Sequence, residues 1–190
     1  MEFQLVLGVS ARHLHLCRAD MDALFGAGSE LTVKKIIGQP GQFAADQQVL
    51  VHGPKSSIKL RIIGPLRPET QIELSMTDAR GLGVAAPIRN SGDVAGTPGI
   101  ILEGPAGKVE LPQGVIVAAR HVHLCPATAE KYGLKDGDIV DIRTEGQRSL
   151  TLHNVLVRAG EKHADEVHID TDEANACQLD SDAMVTIVCK

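Results

Sequence analysis

Apolar residues in this chain fall into short runs separated by glycine, proline and acidic turn residues. The runs lie at residues 4–9, 48–52, 57–63, 71–75, 99–102, 108–111, 114–118, 138–143, 149–157, 166–169 and 183–188. Several alternate with polar residues in period two, as in Lys59-Leu60-Arg61-Ile62. Neighbouring side chains on a strand point to opposite faces, so this pattern predicts half-buried β-strands. Gly53-Pro54, Gly64-Pro65, Gly104-Pro105, Asp136-Gly137 and Glu145-Gly146 supply the turns. Helical periodicity is confined to short stretches. Residues 19–25 and 127–132 each end at a glycine placed for a left-handed cap, Gly26 and Gly133, and a third helix is expected over 172–177. The fold class is therefore all-β with short capping helices.

One segment repeats. Val9-Ser-Ala-Arg-His-Leu-His-Leu-Cys17 returns 108 residues later as Val117-Ala-Ala-Arg-His-Val-His-Leu-Cys125, with seven identities in nine positions. A second echo pairs His52-Gly-Pro-Lys with Glu103-Gly-Pro-Ala. The chain is read as a duplicated module forming two related β-barrels. Its 190 residues suffice for two small cores without covalent staples.

Composition narrows the function. Only 2% of residues are aromatic and the net charge is −5, so neither base-stacking platforms nor a basic nucleic-acid footprint is present. No apolar run approaches the roughly 18 residues of a membrane span. The four cysteines are scattered without CxxC spacing, which, with no signal-like N-terminus, places the expectation in a reducing cytoplasm.

The repeat also carries the chemistry. On a strand, positions i and i+2 share a face, so His13 with His15, and His121 with His123, can converge on a metal ion. A lone histidine on a β face is ordinarily a hydrogen-bonded core residue; two homologous pairs favour ligation. Glu73 in mid-strand and His168 beside an acidic helix start are candidates to complete the sites. Cys17 and Cys125 are read as packing residues. Arg12, Arg67, Arg89 and Arg120 near these segments suggest an anionic substrate. The turn-rich segment at residues 38–43 has the character of a lid.

The segments GVSARHLHL, QPGQFA, GPLRPETQIELSMTDAR, APIRNSGDVAGTPGI, GVIVAARHVHL and EVHIDTDEANA resemble, in order and spacing, the phosphate acyltransferases of the PduL type. These are the phosphate propanoyltransferases of propanediol-degrading microcompartments and their relatives. The resemblance implies two β-barrels with a dinuclear zinc site between them, and interconversion of acyl-CoA plus phosphate with acyl phosphate plus CoA. It implies one discontinuous barrel of residues 1–11 and 119–190, and another of residues 12–118 with a two-stranded lid insertion at about 26–45. Carried over by position, it implies His13, His15, Glu73, His121, His123 and His168 as ligands of two zinc ions, and Arg67 as the catalytic arginine. Gln39, Pro40, Gly41, Phe43, Ser91 and Asn175 would line the substrate or CoA pocket, with Ser91 and Asn175 in loops. A homodimer is the family-level expectation. Microcompartment members usually carry an N-terminal amphipathic extension; this chain starts almost on its first strand, so a free cytoplasmic enzyme, or a chain trimmed of that extension, is expected. From the residues alone, a metal-dependent hydrolase of thioesters or acyl phosphates competes with the transferase. A cupin-like metal-binding module competes less well, since Asp20 and Asp22 stand where that pattern wants a glutamate.

Overall fold

The computed structural model describes residues 1–190. Its elements in chain order are β1 (Glu2–Ser10), β2 (His13–His15), α1 (Arg18–Phe25), β3 (Val33–Ile36), β4 (Phe43–His52), β5 (Ser57–Gly64), β6 (Gln71–Glu73) and α2 (Met76–Leu82). There follow β7 (Ile88–Arg89), β8 (Ile100–Glu103), β9 (Lys108–Leu111), β10 (Val115–Ala118), β11 (His121–Leu124) and α3 (Pro126–Tyr132). The chain ends with β12 (Ile139–Arg143), β13 (Thr151–Ala159), β14 (Glu166–Asp170), α4 (Thr171–Cys177) and β15 (Met184–Val188). No helix is long and apolar enough to cross a membrane.

Two compact units form. The first comprises Met1–Ser10, Gly38–Pro40 and Ala119–Lys190; the second comprises Ala11–Ile37 and Gly41–Ala118. In the first, six strands close into a barrel in the order β1-β14-β11-β13-β12-β15. Its core holds Phe3, Leu5, Leu7, Val122, Val157 and Val167. The Phe3 ring stacks on Tyr132 with centroids 3.8 Å apart, which commits two of the chain's four aromatic rings to one contact. The second unit is a nine-stranded sheet, β7-β10-β6-β2-β5-β4-β8-β9, with β3 paired to β4. Its core includes Leu14, Met21, Leu60, Ile62, Ile72 and Leu102.

The duplication reaches further than the His-x-His segments. β2 lies antiparallel to β6 with His13 opposite Glu73 and His15 opposite Gln71; β11 lies antiparallel to β14 with His121 opposite His168 and His123 opposite Glu166. Both β6 and β14 run into a seven-residue helix through a capping residue. Ser75 Oγ accepts the Asp78 N–H, and Asp170 with Glu173 forms a reciprocal capping box. Both helices end on a left-handed residue, Gly83 and Gln178.

Helix α2 has no counterpart among the helices expected from periodicity, and the apolar run at 71–75 stops as a strand at Glu73 because Ser75 turns the chain into the helix. Asn175, placed in a loop by the family resemblance, is corrected to α4, inside the helix that the sequence pattern expects over 172–177; the capping box at Asp170 only moves the start of that helix to Thr171.

Candidate active site

In the second unit the short strand β2 places His13 and His15 beside β6 and Glu73. His13 Nε2 is 3.6 Å from Glu73 Oε2, and His15 Nε2 is 3.9 Å from Glu73 Oε1. Each histidine is held from behind: Nδ1–H of His13 donates to the Ala11 carbonyl at 2.8 Å, and Nδ1–H of His15 to the Ile63 carbonyl at 2.9 Å. Those bonds fix the tautomer and leave the Nε2 lone pairs facing Glu73, the arrangement a bound metal ion requires of its histidines. Burial pushes His15 down to about 3, with the charges of His13 and Arg67 adding to the effect and Glu73 opposing it. Burial works to raise the Glu73 carboxyl, but His13, His15, a Ser91 hydrogen bond and Arg67 outweigh it and hold the carboxyl well below the usual range. At neutral pH the cluster therefore presents a carboxylate and, at His15, a neutral imidazole.

A polar network fastens Glu73. Gln71 Nε2 donates to Glu73 Oε1 at 2.6 Å, Ser91 Oγ donates to the same oxygen at 2.9 Å, and Arg67 Nη1 donates to Ser91 Oγ at 3.0 Å. The Gly92 N–H in turn holds Gln71 Oε1 at 2.6 Å. Arg67 and Ser91 thus meet at the cluster, and Gln71 joins them though the sequence pattern did not single it out. Its signal was its place two residues before Glu73, on the same face of the strand.

In the first unit His121, His123 and His168 bring their ring nitrogens within 4.8 Å of one another. His121 donates Nδ1–H to the Ala119 carbonyl at 2.8 Å, repeating the His13 arrangement, and its Nε2 lies 3.2 Å from that of His123. His123 is buried, its Nδ1 has no hydrogen-bond partner, and the His163 ring stacks on it at 4.3 Å. Burial lowers His123 to about 2, with His121, His168, His163 and Arg158 adding positive charge around it. His163, which belongs to neither His-x-His pair, is thus set against a cluster histidine. Both clusters fit a metal ion by donor chemistry: three nitrogen or carboxylate donors converge, and the outer nitrogens of three histidines are tied to backbone.

Gln39 is buried, with both ends of its amide bonded to the Ala164 backbone. Its Nε2 also donates to Glu166, so its side chain faces protein. Pro40 and Gly41 are exposed. Phe43 opens β4 with its ring against Gly64, where any Cβ would collide. Asn175 is exposed on α4. Neither Cys17 nor Cys125 bonds to a histidine. Their N–H groups donate to Thr70 and Asp165, in two latches where Thr and Asp have traded places: Thr70 with Asp20, and Asp165 with Thr128.

The family model described as phosphate propanoyltransferase matches residues 6–180. Phosphate propanoyltransferase of Rhodopseudomonas palustris is 52% identical over 99% of this chain and 83% of its own length. That of Thermotoga maritima is 51% identical over 97% of this chain and 89% of its own. That of Citrobacter koseri is 50% identical over 96% and 88%. Matches of this extent span both His-x-His strands and both strands opposite them. The chain belongs to the phosphate propanoyltransferase family.

Proposed function

We propose that this chain interconverts a short-chain acyl-CoA, propionyl or acetyl, plus phosphate with the acyl phosphate plus CoA, using two zinc ions held by His13, His15 and Glu73, and by His121, His123 and His168. The observation that carries this reading is the pair of clusters whose histidines are fixed from behind, in a chain half identical to named phosphate propanoyltransferases. Zinc would supply Lewis acidity toward the thioester carbonyl and hold the CoA sulfur as thiolate.

The remaining roles belong to the protein. Arg67 offers a charged donor for phosphate, and its bond to Ser91 aims the guanidinium from the side that also anchors Glu73. Glu73 stays ionised and lowers the charge of its cluster. Pro40, Gly41 and Phe43 are read as CoA contacts, with Gln39 setting their turn, and Ser91 and Asn175 as contacts to the substrate. Phosphate oxygen attacks the thioester carbonyl directly, a bond to phosphorus-bound oxygen forming as the bond to sulfur breaks; no acyl-enzyme is invoked, since neither cysteine has a histidine to activate it. The domains are taken as residues 1–11 with 119–190, and 12–118 with its lid.

Metal analysis coupled to a CoA-release assay tests the reading. Release of CoA should require added phosphate and should stop when metal is stripped. CoA release without phosphate identifies a hydrolase instead. Arg67→Ala should retain its metal and lose activity by roughly 10²–10³, the loss expected for one donor to developing charge; full activity in that variant removes Arg67 from its role.

A further inference from the structure

Glu166 takes no part in the roles above, yet several constraints meet on its carboxylate. His168 Nε2 donates to Oε2 at 2.8 Å, and Gln39 Nε2 donates to the same oxygen at 2.8 Å. Gly8 on β1 and Gly38 in the turn press against it. A Cβ at Gly8 would stand 2.8 Å from Oε1, and one at Gly38 2.5 Å from Oε2. Neither glycine has a left-handed backbone, so a side chain at either position would not strain the backbone but would have to displace this carboxylate. Gly8 lies opposite His168 in the ladder, and its missing Cβ faces the Cδ2 edge of that ring. The bond to Glu166 fixes the Nε2–H tautomer of His168 and leaves Nδ1 with the lone pair.

The second unit has no such arrangement. By register Gln71 stands where Glu166 does, and Ile116 of β10 stands opposite Glu73 where Gly8 stands opposite His168. The carboxylate, and the glycine at residue 8 that makes room for it, therefore have no register counterpart in the second unit.

We propose that Glu166 is a positioning residue that holds His168 by Nε2 and the Gly38–Pro40 turn through Gln39, so that metal binding at this cluster and order in the turn are coupled. The proposal rests on the reading of this cluster as a metal site. Because the turn carries Gln39, Pro40 and the approach to Gly41, the coupling makes the segment that meets CoA sensitive to the metal.

The test uses the full chain, stripped of metal and titrated with zinc against a chromophoric chelator, with amide exchange followed at Gly38, Gln39, Gly41 and Gln42. Cobalt absorption reports the ligand field at the cluster. In the parent protein zinc should slow exchange of the turn. Glu166→Gln should weaken zinc at one of two sites by about 10- to 100-fold, alter the cobalt bands and abolish the zinc-dependent protection. Gly38→Ala keeps the carboxylate but displaces it, and should reproduce these changes in part. Zinc binding within twofold of the parent, an unchanged cobalt spectrum and a turn still protected by zinc in both variants overturn the proposal. A drop in melting temperature without those changes assigns Glu166 a purely structural role and overturns it as well. If the parent binds no more metal than His121→Ala, the metal reading of the cluster fails, and the coupling falls with it; that outcome is told apart by stoichiometry alone.

Discussion

The histidines of the two His-x-His strands differ in how their outer nitrogen is held. His13, His15 and His121 each donate Nδ1–H to a carbonyl, whereas His123 keeps a buried Nδ1 without a partner. Both His15 and His123 are driven neutral, to about 3 and about 2. In the unfolded chain they titrate near about 6.5. Below that pH the unfolded state binds protons that the folded metal-free protein refuses, so stability contributed by the two groups is complete above about 6.5 and falls as the solution is acidified toward 3. Each histidine adds a slope of up to about 1.4 kcal/mol per pH unit. Urea unfolding of the metal-stripped protein should show a midpoint that drops between pH 7.5 and 5.5, and His15→Gln should make the drop shallower. An equal drop in that variant places the effect elsewhere. The paired histidines were legible in the sequence because period two alone puts them on one face. Gln71 and Glu166 share a face with Glu73 and His168 by the same period, but their second partners, Ser91 and Gln39, become visible only once the loops and the turn are folded.

Short elements carry the two clusters, and their ends decide how firmly. The strands bearing Glu73 and His168 each give way, two residues later, to a helix capped by Ser75 or Asp170. A helix of seven residues has too few internal hydrogen bonds to stand alone, so its cap and its packing hold it in place. That is also why α2 escaped the sequence pattern: Met76–Leu82 buries only Ala79 and Leu82, too little for a visible period, and the one local signal was Ser75 with Gly83. The Gly-Pro echo became intelligible only in three dimensions. Lys55 and Ala106, just past Gly53-Pro54 and Gly104-Pro105, donate N–H to the carbonyls of Leu82 and Leu24 near the ends of α2 and α1, and Gly53 and Gly104 leave no room there for a side chain. Ser75→Ala should cost about 1 kcal/mol, and Asp170→Ala, which breaks a reciprocal pair, about 1–2 kcal/mol. Chemical denaturation gives the totals. Faster amide exchange at Asp78 or Glu173 locates each loss, and a variant whose exchange changes evenly along the chain contradicts the capping account.

At the scale of the molecule the duplication is carried out with an exchange. In each unit a strand that precedes a His-x-His segment runs parallel to the strand bearing the third member of the cluster: β10 beside β6, and β1 beside β14. Residue 10 ends a stretch of the first unit and residue 11 begins one of the second, so β1 is separated in sequence from everything it pairs with. The His-x-His repeat announced two related modules, but no local pattern could say which strands close the barrel, because closure is a matter of pairing between residues more than 150 positions apart. Leu7 is where this shows. Its side chain is buried in the first unit's core, its N–H donates to the Ala183 carbonyl, and its carbonyl accepts from Asp182. Its register partner is Val167, next to His168. Leu7→Ala should cost about 2–5 kcal/mol, as large-to-small changes in a closed core do, whereas Ile36→Ala on the exposed β3 should stay within about 0.5 kcal/mol. Native-state exchange should accelerate along β14 and β15, and, under the proposed zinc binding, the zinc lost first should be the one whose binding His121→Ala abolishes. Loss of the metal assigned to His13, His15 and Glu73 ahead of the other would contradict the placement of β1 in the barrel's energetics.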